Sequence, residues 1–428
     1  MRSQIWNFLV RKIPTEKIPG LGVLREMNSA LQNTASDEIH MTTPELIFHH
    51  GYQAETHHIW TEDGYRLEIH RVVPPIAEKK LKEPDVETGS WSIYDTGKKR
   101  QRPTVIIHHG LLSSSADWVL LGPKRALAYV LCDEGYDVWL ANARGNRYSQ
   151  CHKTFSTKDK EFWDFSWHEI GVYDLPAIID YILEKTGNPN MSYIGYSQGT
   201  TALFVMASER PDYIDKIKGM VCMAPIAFLS NHRSPLLKCV VPLHVLMKWA
   251  SVYCNINQWF PRNKLQAFAL ATLMRNAPDK FAQTFCYGWF HLVAGFGSDQ
   301  LDKSMMPVVF GHFPAGASAK QIIHYCQTIT SGLFRKFDYG EKINTKLYGT
   351  PEPPLYDLNK VTFPVGLFYS DNDFLNHASD VETLAAALPN IIEKFRINYS
   401  KFNHIDYLWG RDAKELVYDD IVRVLRQF

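Results

Sequence analysis

The chain has 428 residues, enough for one large domain with an insertion or for two domains. Its formal net charge is only +1 at pH 7, so no strong positive field argues for a nucleic-acid partner. Seven scattered cysteines without a C-x-x-C pair argue against a zinc site and against a disulfide framework.

The first 42 residues predict a poorly ordered extension, because they are polar and weakly patterned. Their basic start is followed by only about six apolar residues, fewer than the seven to fifteen of a secretory signal peptide. No stretch of the chain approaches the roughly twenty apolar residues of a membrane span. The sequence therefore predicts no membrane span, and its signal peptide is not convincing.

Residues 43–227 alternate between strand and helix patterns, which predicts a mostly parallel sheet covered by helices on both faces. Asp63-Gly64 lies between two alternating runs and predicts a β-hairpin. Residues 76–102 are rich in Lys and Glu and predict a surface loop insertion. Further strands are predicted at residues 104–108, 136–140, 191–196 and 219–224, and helices at residues 124–134 and 175–184.

The stretch at residues 191–207 predicts a nucleophile elbow. A short apolar run leads into Gly195, Ser197 and Gly199, which form G-x-S-x-G, and a helical pattern follows. Strand, sharp turn and helix are the context in which the central side chain projects above the sheet. Ser197 is therefore the predicted nucleophile.

The alternation stops near residue 228, and residues 228–350 predict a helical cap or lid between two parts of the core. Within it, apolar residues recur at the spacing of one helix face, which fits core packing and a lipid-facing surface equally well. These residues are Leu236, Val240, Leu243, Met247 and Ala250. Residues 351–428 predict the second part of the core, with a strand at 365–369 and a closing helix at 416–425.

A serine nucleophile needs a general base, and the base needs an orienting acid. His404 follows the last predicted strand, and Asp371 and Asp373 both follow the strand at residues 365–369. This order of serine, acid and histidine is that of the α/β-hydrolases. His404 is the predicted base, and both aspartates stay candidates for the acid, with Asp373 preferred.

The tetrahedral intermediate of ester hydrolysis needs two N–H donors for its oxyanion. The backbone amides of Gln198 and Leu111 are the predicted donors, since one follows the nucleophile and the other follows a buried strand. The adjacent His108 and His109 point to opposite faces of that strand, so no metal site is predicted there. No cofactor is predicted.

With these residues in place, the chain resembles the acid lipase family of the α/β-hydrolases, which includes the gastric and lysosomal acid lipases. The resemblance covers about residues 42–426 and rests on many motifs in a fixed order. They are Pro44-Glu45-Leu46-Ile47, His50-Gly51-Tyr52, Thr61-Glu62-Asp63-Gly64-Tyr65, His109-Gly110-Leu111-Leu112, Ala141-Asn142-Ala143-Arg144-Gly145-Asn146, Phe162-Trp163-Asp164-Phe165-Ser166, Asp174-Leu175-Pro176, Gly195-Tyr196-Ser197-Gln198-Gly199-Thr200, Pro314-Ala315-Gly316 with Ser318, Asp373-Phe374-Leu375, and His404-Ile405-Asp406-Tyr407-Leu408-Trp409-Gly410.

The resemblance implies the roles of the site residues. It implies Ser197 as nucleophile, Asp373 as acid and His404 as base, with Leu111 and Gln198 at the oxyanion-hole positions. It also implies that part of residues 228–350 acts as a lid over the acyl pocket. Two features depart from the family pattern. Tyr196 stands where the family usually has His, with little expected change, and Ala277 stands where some members pair a cysteine with the equivalent of Cys286, so that bridge is predicted to be absent.

The predicted function is a serine lipase that cleaves neutral lipid esters, either triacylglycerols or cholesteryl esters, at a lipid–water interface without an obligate protein partner. The alternatives are an esterase or acyltransferase on smaller esters, and a non-catalytic lipid-binding protein of the same fold. The family resemblance implies secretion or lysosomal delivery. In that compartment the sequons at Asn190 and Asn398 would be candidate glycosylation sites.

Overall fold

The computed structural model describes residues 37–75, 102–260 and 288–428. Most of the predicted N-terminal extension and nearly all of the predicted loop insertion lie outside these ranges, as do Ala277 and Cys286. The last residues of the extension form a short 3-10 helix, Asp37–Ile39. Thr42 then caps the first α-helix, because its hydroxyl accepts from the Glu45 amide while the Glu45 carboxylate accepts from the Thr42 amide.

Strands form a large central sheet and a small second one within the described residues. The large sheet runs in the order β1-β2-β4-β3-β6-β7-β10-β11, with β5 paired to β2, and β8 pairs with β9 in the small sheet. The strands are β1 (Gln53–Trp60), β2 (Tyr65–Val73), β3 (Thr104–His108), β4 (Asp137–Leu140), β5 (Cys151–His152), β6 (Met191–Tyr196), β7 (Ile217–Met223), β8 (Gln258–Trp259), β9 (Ala317–Ser318), β10 (Val365–Tyr369) and β11 (Ile391–Arg396).

The large sheet is mostly parallel, as predicted. The strands from β4 through β3, β6, β7 and β10 to β11 pair in parallel, whereas β1, β2 and β5 pair antiparallel. The predicted hairpin around Asp63-Gly64 is confirmed, since β1 pairs with β2 and Gly64 has a φ of 97° in the turn.

The helices follow the strands along the chain and cluster between β7 and β10. The α-helices are α1 (Thr43–His49), α2 (Leu127–Asp133), α3 (Trp167–Glu169), α4 (Leu175–Thr186), α5 (Gln198–Glu209), α6 (Pro235–Val240), α7 (His244–Cys254), α8 (Gly288–Ala294), α9 (Met306–His312), α10 (Ala319–Ser331), α11 (Glu341–Tyr348), α12 (Ala378–Ala387), α13 (Asp406–Trp409) and α14 (Asp419–Leu425). Ile170–Asp174 and Lys414–Tyr418 are π-helical turns that lead into α4 and α14.

Two buried apolar clusters cover the two faces of the sheet. Along β3, Val105 and Ile107 belong to one cluster and Ile106 belongs to the other. This alternation follows from the two-residue period of a strand. Helices α2 and α14 pack on the first face, and α4 and α5 pack on the second. The predicted helical cover on both faces is therefore confirmed.

The predicted cap interval, residues 228–350, contains α6 to α11 and the small sheet in its described part. The expected single helix face at residues 236–250 is wrong, because the run is divided into α6, a 3-10 turn (Val241–Leu243) and α7. Pro242 lies in that turn, and proline interrupts helix geometry. Met247 packs against buried residues of α10, which favours the packing alternative at that position. The domain boundaries themselves stay a prediction.

No helix in the described ranges is both long and apolar enough to cross a membrane. Six cysteines are described, and all six are free thiols: Cys132, Cys151, Cys222, Cys239, Cys254 and Cys326.

Candidate active site

Ser197 occupies a sharp turn between β6 and α5. Its backbone adopts φ 50° and ψ −115°, an uncommon conformation for a residue with a side chain. The flanking glycines are required by close packing, since a Cβ atom on Gly199 would lie 2.4 Å from the His108 carbonyl oxygen. A Cβ on Gly195 would lie 2.8 Å from the Thr200 amide. The turn therefore has the geometry of a nucleophile elbow.

The structure brings Ser197, His404 and Asp373 together from three separate segments. His404 Nε2 lies 3.0 Å from Ser197 Oγ, and His404 Nδ1 lies 2.7 Å from Asp373 Oδ2. With Nδ1 protonated, His404 donates to Asp373 and leaves Nε2 free to accept the serine proton. The side chain of Asp373 is 0% exposed and that of His404 is 6% exposed, so water has little access to their hydrogen bond.

The loop after β10 fixes the Asp373 carboxylate and separates it from Asp371. Asp373 Oδ1 accepts hydrogen bonds from the Leu375 and Asn376 amides, both at 2.8 Å, which leaves Oδ2 for the imidazole. Asp371 instead pairs with Arg396 on the surface. The geometry therefore favours Asp373 as the partner of His404.

The two predicted oxyanion donors lie on segments that border the serine, since a Cβ on Gly110, the residue before Leu111, would lie 3.2 Å from Ser197 Cβ. Gln198 is the first residue of α5, where the N–H groups have no partner within the helix. Leu111 lies in the turn after β3, next to Leu112 with its positive φ of 64°. The carbonyl of Leu112 accepts a 2.5 Å hydrogen bond from the Ala315 amide, which ties this turn to the segment before β9.

The adjacent histidines at the end of β3 are buried structural residues. His108 Nδ1 lies 2.8 Å from the Tyr193 hydroxyl. His109 Nε2 accepts from the Ala143 amide and lies 3.1 Å from the Asn146 amide nitrogen, while burial lowers the pKa of His109 to about 4. Among the described residues, no group of three or more His, Cys, Asp or Glu side chains is arranged to hold a metal ion.

Elements of the cap interval contact the site directly. Gln198 Nε2 on α5 donates to Gln321 Oε1 on α10 at 2.7 Å. The carbonyl of Ala294, the last residue of α8, accepts the amide of Phe374 at 3.1 Å and that of His404 at 3.4 Å. The acid loop and the base loop are thus joined through one peptide group. Sequence reasoning missed Ala294, because a backbone carbonyl leaves no residue-type signal.

Tyr196 is a second residue whose part in the site the sequence did not reveal. Its hydroxyl donates to the His404 carbonyl at 2.8 Å, and its ring lies 5.1 Å from the imidazole, centroid to centroid. The sequence signals were its place beside the serine and its departure from the histidine that the family usually has there, from which little change was expected.

Exposed apolar side chains cover one face of α7 and its flanks. Val245, Leu246 and Trp249 are 66%, 59% and 52% exposed, and Tyr253 is 73% exposed. Exposed apolar side chains grouped in this way are typical of interaction surfaces. Met247 of the same helix is instead half-buried and packs against α10.

Comparisons with known proteins agree with this architecture. Residues 103–411 match the family model described as alpha/beta hydrolase fold. Residues 43–122 match the model described as a partial alpha/beta-hydrolase lipase region. In a crystal structure of a candidate lipase from Sulfolobus solfataricus, 90% of that chain superposes on 85% of this one with a TM-score of 0.53 at 14% identity. This likeness, together with the family match, confirms the predicted α/β-hydrolase fold.

Curated relatives extend over nearly the whole chain. Lipase 3 of Drosophila melanogaster is 40% identical over 90% of this chain and 92% of its own length. Gastric triacylglycerol lipase of Homo sapiens is 33% identical over 92% of each chain. Lipase member M of Mus musculus is 34% identical over 94% of this chain and 90% of its own. The chain therefore belongs to the lipase family of the α/β-hydrolase fold, and its class is that of a serine ester hydrolase.

Proposed function

We propose that the protein is a lipase that hydrolyses neutral lipid esters, triacylglycerols or cholesteryl esters, through an acyl-enzyme on Ser197. The observation that carries this proposal is the continuous hydrogen-bonded chain from Ser197 Oγ through His404 to Asp373, with lengths of 3.0 Å and 2.7 Å. A nucleophile, a base and an orienting acid in this arrangement form a catalytic triad of the kind that carries out acyl transfer.

In the proposed mechanism, Ser197 Oγ attacks the ester carbonyl while His404 Nε2 takes its proton. The Asp373 carboxylate stabilises the resulting imidazolium. The amides of Leu111 and Gln198 donate hydrogen bonds to the carbonyl oxygen as negative charge develops on it. His404 then protonates the departing alcohol, and a water molecule, activated by the same imidazole, releases the fatty acid from Ser197. No cofactor takes part.

A water-insoluble ester is the proposed substrate because the exposed apolar face of α7 supports work at a lipid–water interface. Transfer of the exposed Val245, Leu246 and Trp249 side chains from water into lipid would lower the free energy of the system. The relatives support the same substrate class, since one of them is named a triacylglycerol lipase. The protein would meet lipid through this surface, with no obligate protein partner.

We propose that the protein acts in a secreted or lysosomal compartment, by analogy with the acid lipases it resembles. The sequon at Asn398 supports this, because Asn398 is exposed in the loop after β11 and could carry a glycan there. Asn190 is half-buried just before β6 and is the less accessible of the two sequons.

The test is hydrolysis of emulsified triacylglycerol and cholesteryl ester by the wild type and three variants. Ser197→Ala and Asp373→Asn each remove one member of the hydrogen-bonded chain. We expect kcat to fall by about 10⁴-fold or more in both. Asp371→Asn is the matched control, since it removes a carboxylate from the same loop that faces Arg396 on the surface. It is expected to retain near-normal activity.

Three outcomes contradict the proposal. Hydrolysis that survives Ser197→Ala would exclude Ser197 as the nucleophile. Activity on soluble short-chain esters without any gain on emulsions would indicate an esterase instead. A wild type that binds lipid but cleaves no ester would make the protein a lipid-binding member of the fold.

A further inference from the structure

Tyr196 is the last residue of β6, and its buried side chain reaches two parts of the site. The ring packs under the turn after β3, where a Cβ on Gly110 would lie 2.9 Å from Tyr196 Cε1. Its ring centroid also lies 5.1 Å from that of the His404 imidazole and 6.2 Å from that of Trp118, which is nearly perpendicular to it. Its backbone adjoins Ser197. The Tyr196 side chain therefore contacts both the turn after β3, which contains Leu111, and the base His404. Tyr196 is also the residue directly before the nucleophile.

The hydroxyl of Tyr196 has a specific partner, the main-chain carbonyl of His404, at 2.8 Å. The two residues are 208 positions apart in the chain. Burial, and then the nearby Asp373 carboxylate, raise the pKa of Tyr196 well above its ordinary value. The hydroxyl therefore stays protonated and remains a donor at every pH at which a lipase works.

We propose that Tyr196 is a positioning residue for the base: its hydroxyl anchors the His404 main chain to the strand that carries the nucleophile. This proposal rests on the proposed function, in which His404 acts on Ser197. It adds a role for the residue before the serine that the hydrogen-bonded chain of Ser197, His404 and Asp373 does not include.

The physical reason is that His404 lies in a loop, whereas Tyr196 ends a fully buried strand and Ser197 follows it directly. A loop moves more easily than a central strand, and proton transfer needs the 3.0 Å separation between His404 Nε2 and Ser197 Oγ to be kept. The Tyr196 hydroxyl links that loop to the strand by a direct bond. The hydrogen bond therefore limits changes in the distance between His404 Nε2 and Ser197 Oγ.

The His404 peptide has a second anchor on its other side, and this anchor belongs to the cap interval. Its N–H donates to the Ala294 carbonyl at 3.4 Å, a long hydrogen bond. A movement of α8 would weaken that contact without touching Tyr196. The Tyr196 anchor thus keeps the base aligned independently of the cap. A histidine at position 196 has a shorter side chain and would not reach the same carbonyl from the same backbone.

The test is Tyr196→Phe, which removes the hydroxyl and keeps the ring in place. Kinetics are measured on a soluble short-chain ester, so that adsorption to lipid plays no part. We expect kcat to fall by about tenfold with KM changed by less than about twofold. The rate of covalent labelling of Ser197 by a p-nitrophenyl alkylphosphonate should fall by a similar factor, because labelling also needs His404 to take the serine proton.

Tyr418→Phe is the matched control. Tyr418 is a buried tyrosine whose hydroxyl also donates to a main-chain carbonyl, that of Tyr407, at 2.6 Å. The change in melting temperature of Tyr418→Phe measures how much stability is lost when a buried tyrosine hydroxyl is removed. We expect both variants to lower the melting temperature to a similar degree, whereas only Tyr196→Phe lowers kcat and the labelling rate.

Wild-type kcat and labelling in Tyr196→Phe would overturn the positioning role, as would equal losses in both tyrosine variants. If Ser197→Ala and Asp373→Asn abolish hydrolysis at the same time, the proposed function stands and only the role of Tyr196 falls. If Ser197→Ala remains active, the proposed function falls, and the anchor loses its purpose with it.

Discussion

Asp406 is a buried carboxylic acid two positions after His404. Its Oδ2 accepts from the Asn403 amide at 2.8 Å and from the Ser298 hydroxyl at 2.6 Å. Burial outweighs these two hydrogen bonds and raises the pKa of Asp406 to about 7, with Asp299 and Asp373 adding smaller repulsions. The base loop therefore contains an acid that is mostly protonated below about pH 7.

The consequence for stability has a definite sign. An acid whose pKa is higher in the folded state than in the unfolded chain stabilises the fold at low pH. That contribution is lost as the pH rises from about 4 towards about 7, by about 1.4 kcal/mol for each pH unit. Asp406→Asn carries no titrating proton and keeps an oxygen for both donors. We expect its melting temperature to decline less steeply than that of the wild type between these pH values.

The comparison is made by thermal denaturation of the wild type, Asp406→Asn and Asp371→Asn from pH 4 to pH 8. Asp371→Asn is the control, because its carboxylate is on the surface and should leave the wild-type pH dependence nearly intact. Parallel curves for the wild type and Asp406→Asn would show that Asp406 does not titrate in this range.

Arg144 joins three separate elements of the core. It follows β4, and its guanidinium pairs with Asp63 in the β1–β2 turn at 2.5 Å and with Asp174 before α4 at 2.7 Å. The guanidinium also stacks on the Tyr65 ring at 4.1 Å. Both Arg144 and Asp174 are fully buried, so this ion pair has no access to solvent.

Removal of one partner from a buried ion pair leaves an uncompensated charge, which costs about 3 to 5 kcal/mol. We therefore expect Arg144→Gln to lower the free energy of unfolding by about that amount in urea denaturation. Arg426→Gln removes an arginine from an exposed pair with Glu134 and is expected to change it by less than about 1 kcal/mol. Equal losses of unfolding free energy in the two variants would show that the buried ion pair of Arg144 stabilises the fold no more than the exposed pair of Arg426 does.

The molecule as a whole separates its candidate active site from the surface proposed to contact lipid. Ser197, Asp373 and His404 lie in the segments that follow β6, β10 and β11. The exposed apolar residues lie on α7, in the interval inserted between β7 and β10. These two functions can therefore be altered independently.

The double substitution Leu246→Ser with Trp249→Ser tests this separation. Each side chain is more than half exposed, and its transfer into lipid is worth about 1.5 to 3 kcal/mol. We expect activity on emulsified triacylglycerol to fall by at least about tenfold, with hydrolysis of a soluble ester unchanged. Phe48→Ser is the control, since Phe48 is 76% exposed on α1, outside the cap interval. A loss of equal size on both substrates would contradict a role in lipid contact.

The sequence by itself determined the features that depend on short stretches of chain. The hairpin around Asp63-Gly64 and the elbow at Ser197 each need only a strand pattern and the right turn residues, so both were predictable. The order of serine, acid and histidine along the chain was equally visible. Even the preference for Asp373 over Asp371 rested on a local motif.

Only the tertiary structure decided which of these residues meet. The contacts of His404 with Ser197, Asp373 and Tyr196 join positions 207, 31 and 208 residues apart, and no local periodicity encodes such pairings. The sequence left open which face of α7 is buried, for the same reason. A helix pattern shows which residues share a face, but the packing partner, here α10, decides which face is buried. Burial and long-range hydrogen bonds are properties of the folded chain, because they depend on the neighbours that folding supplies.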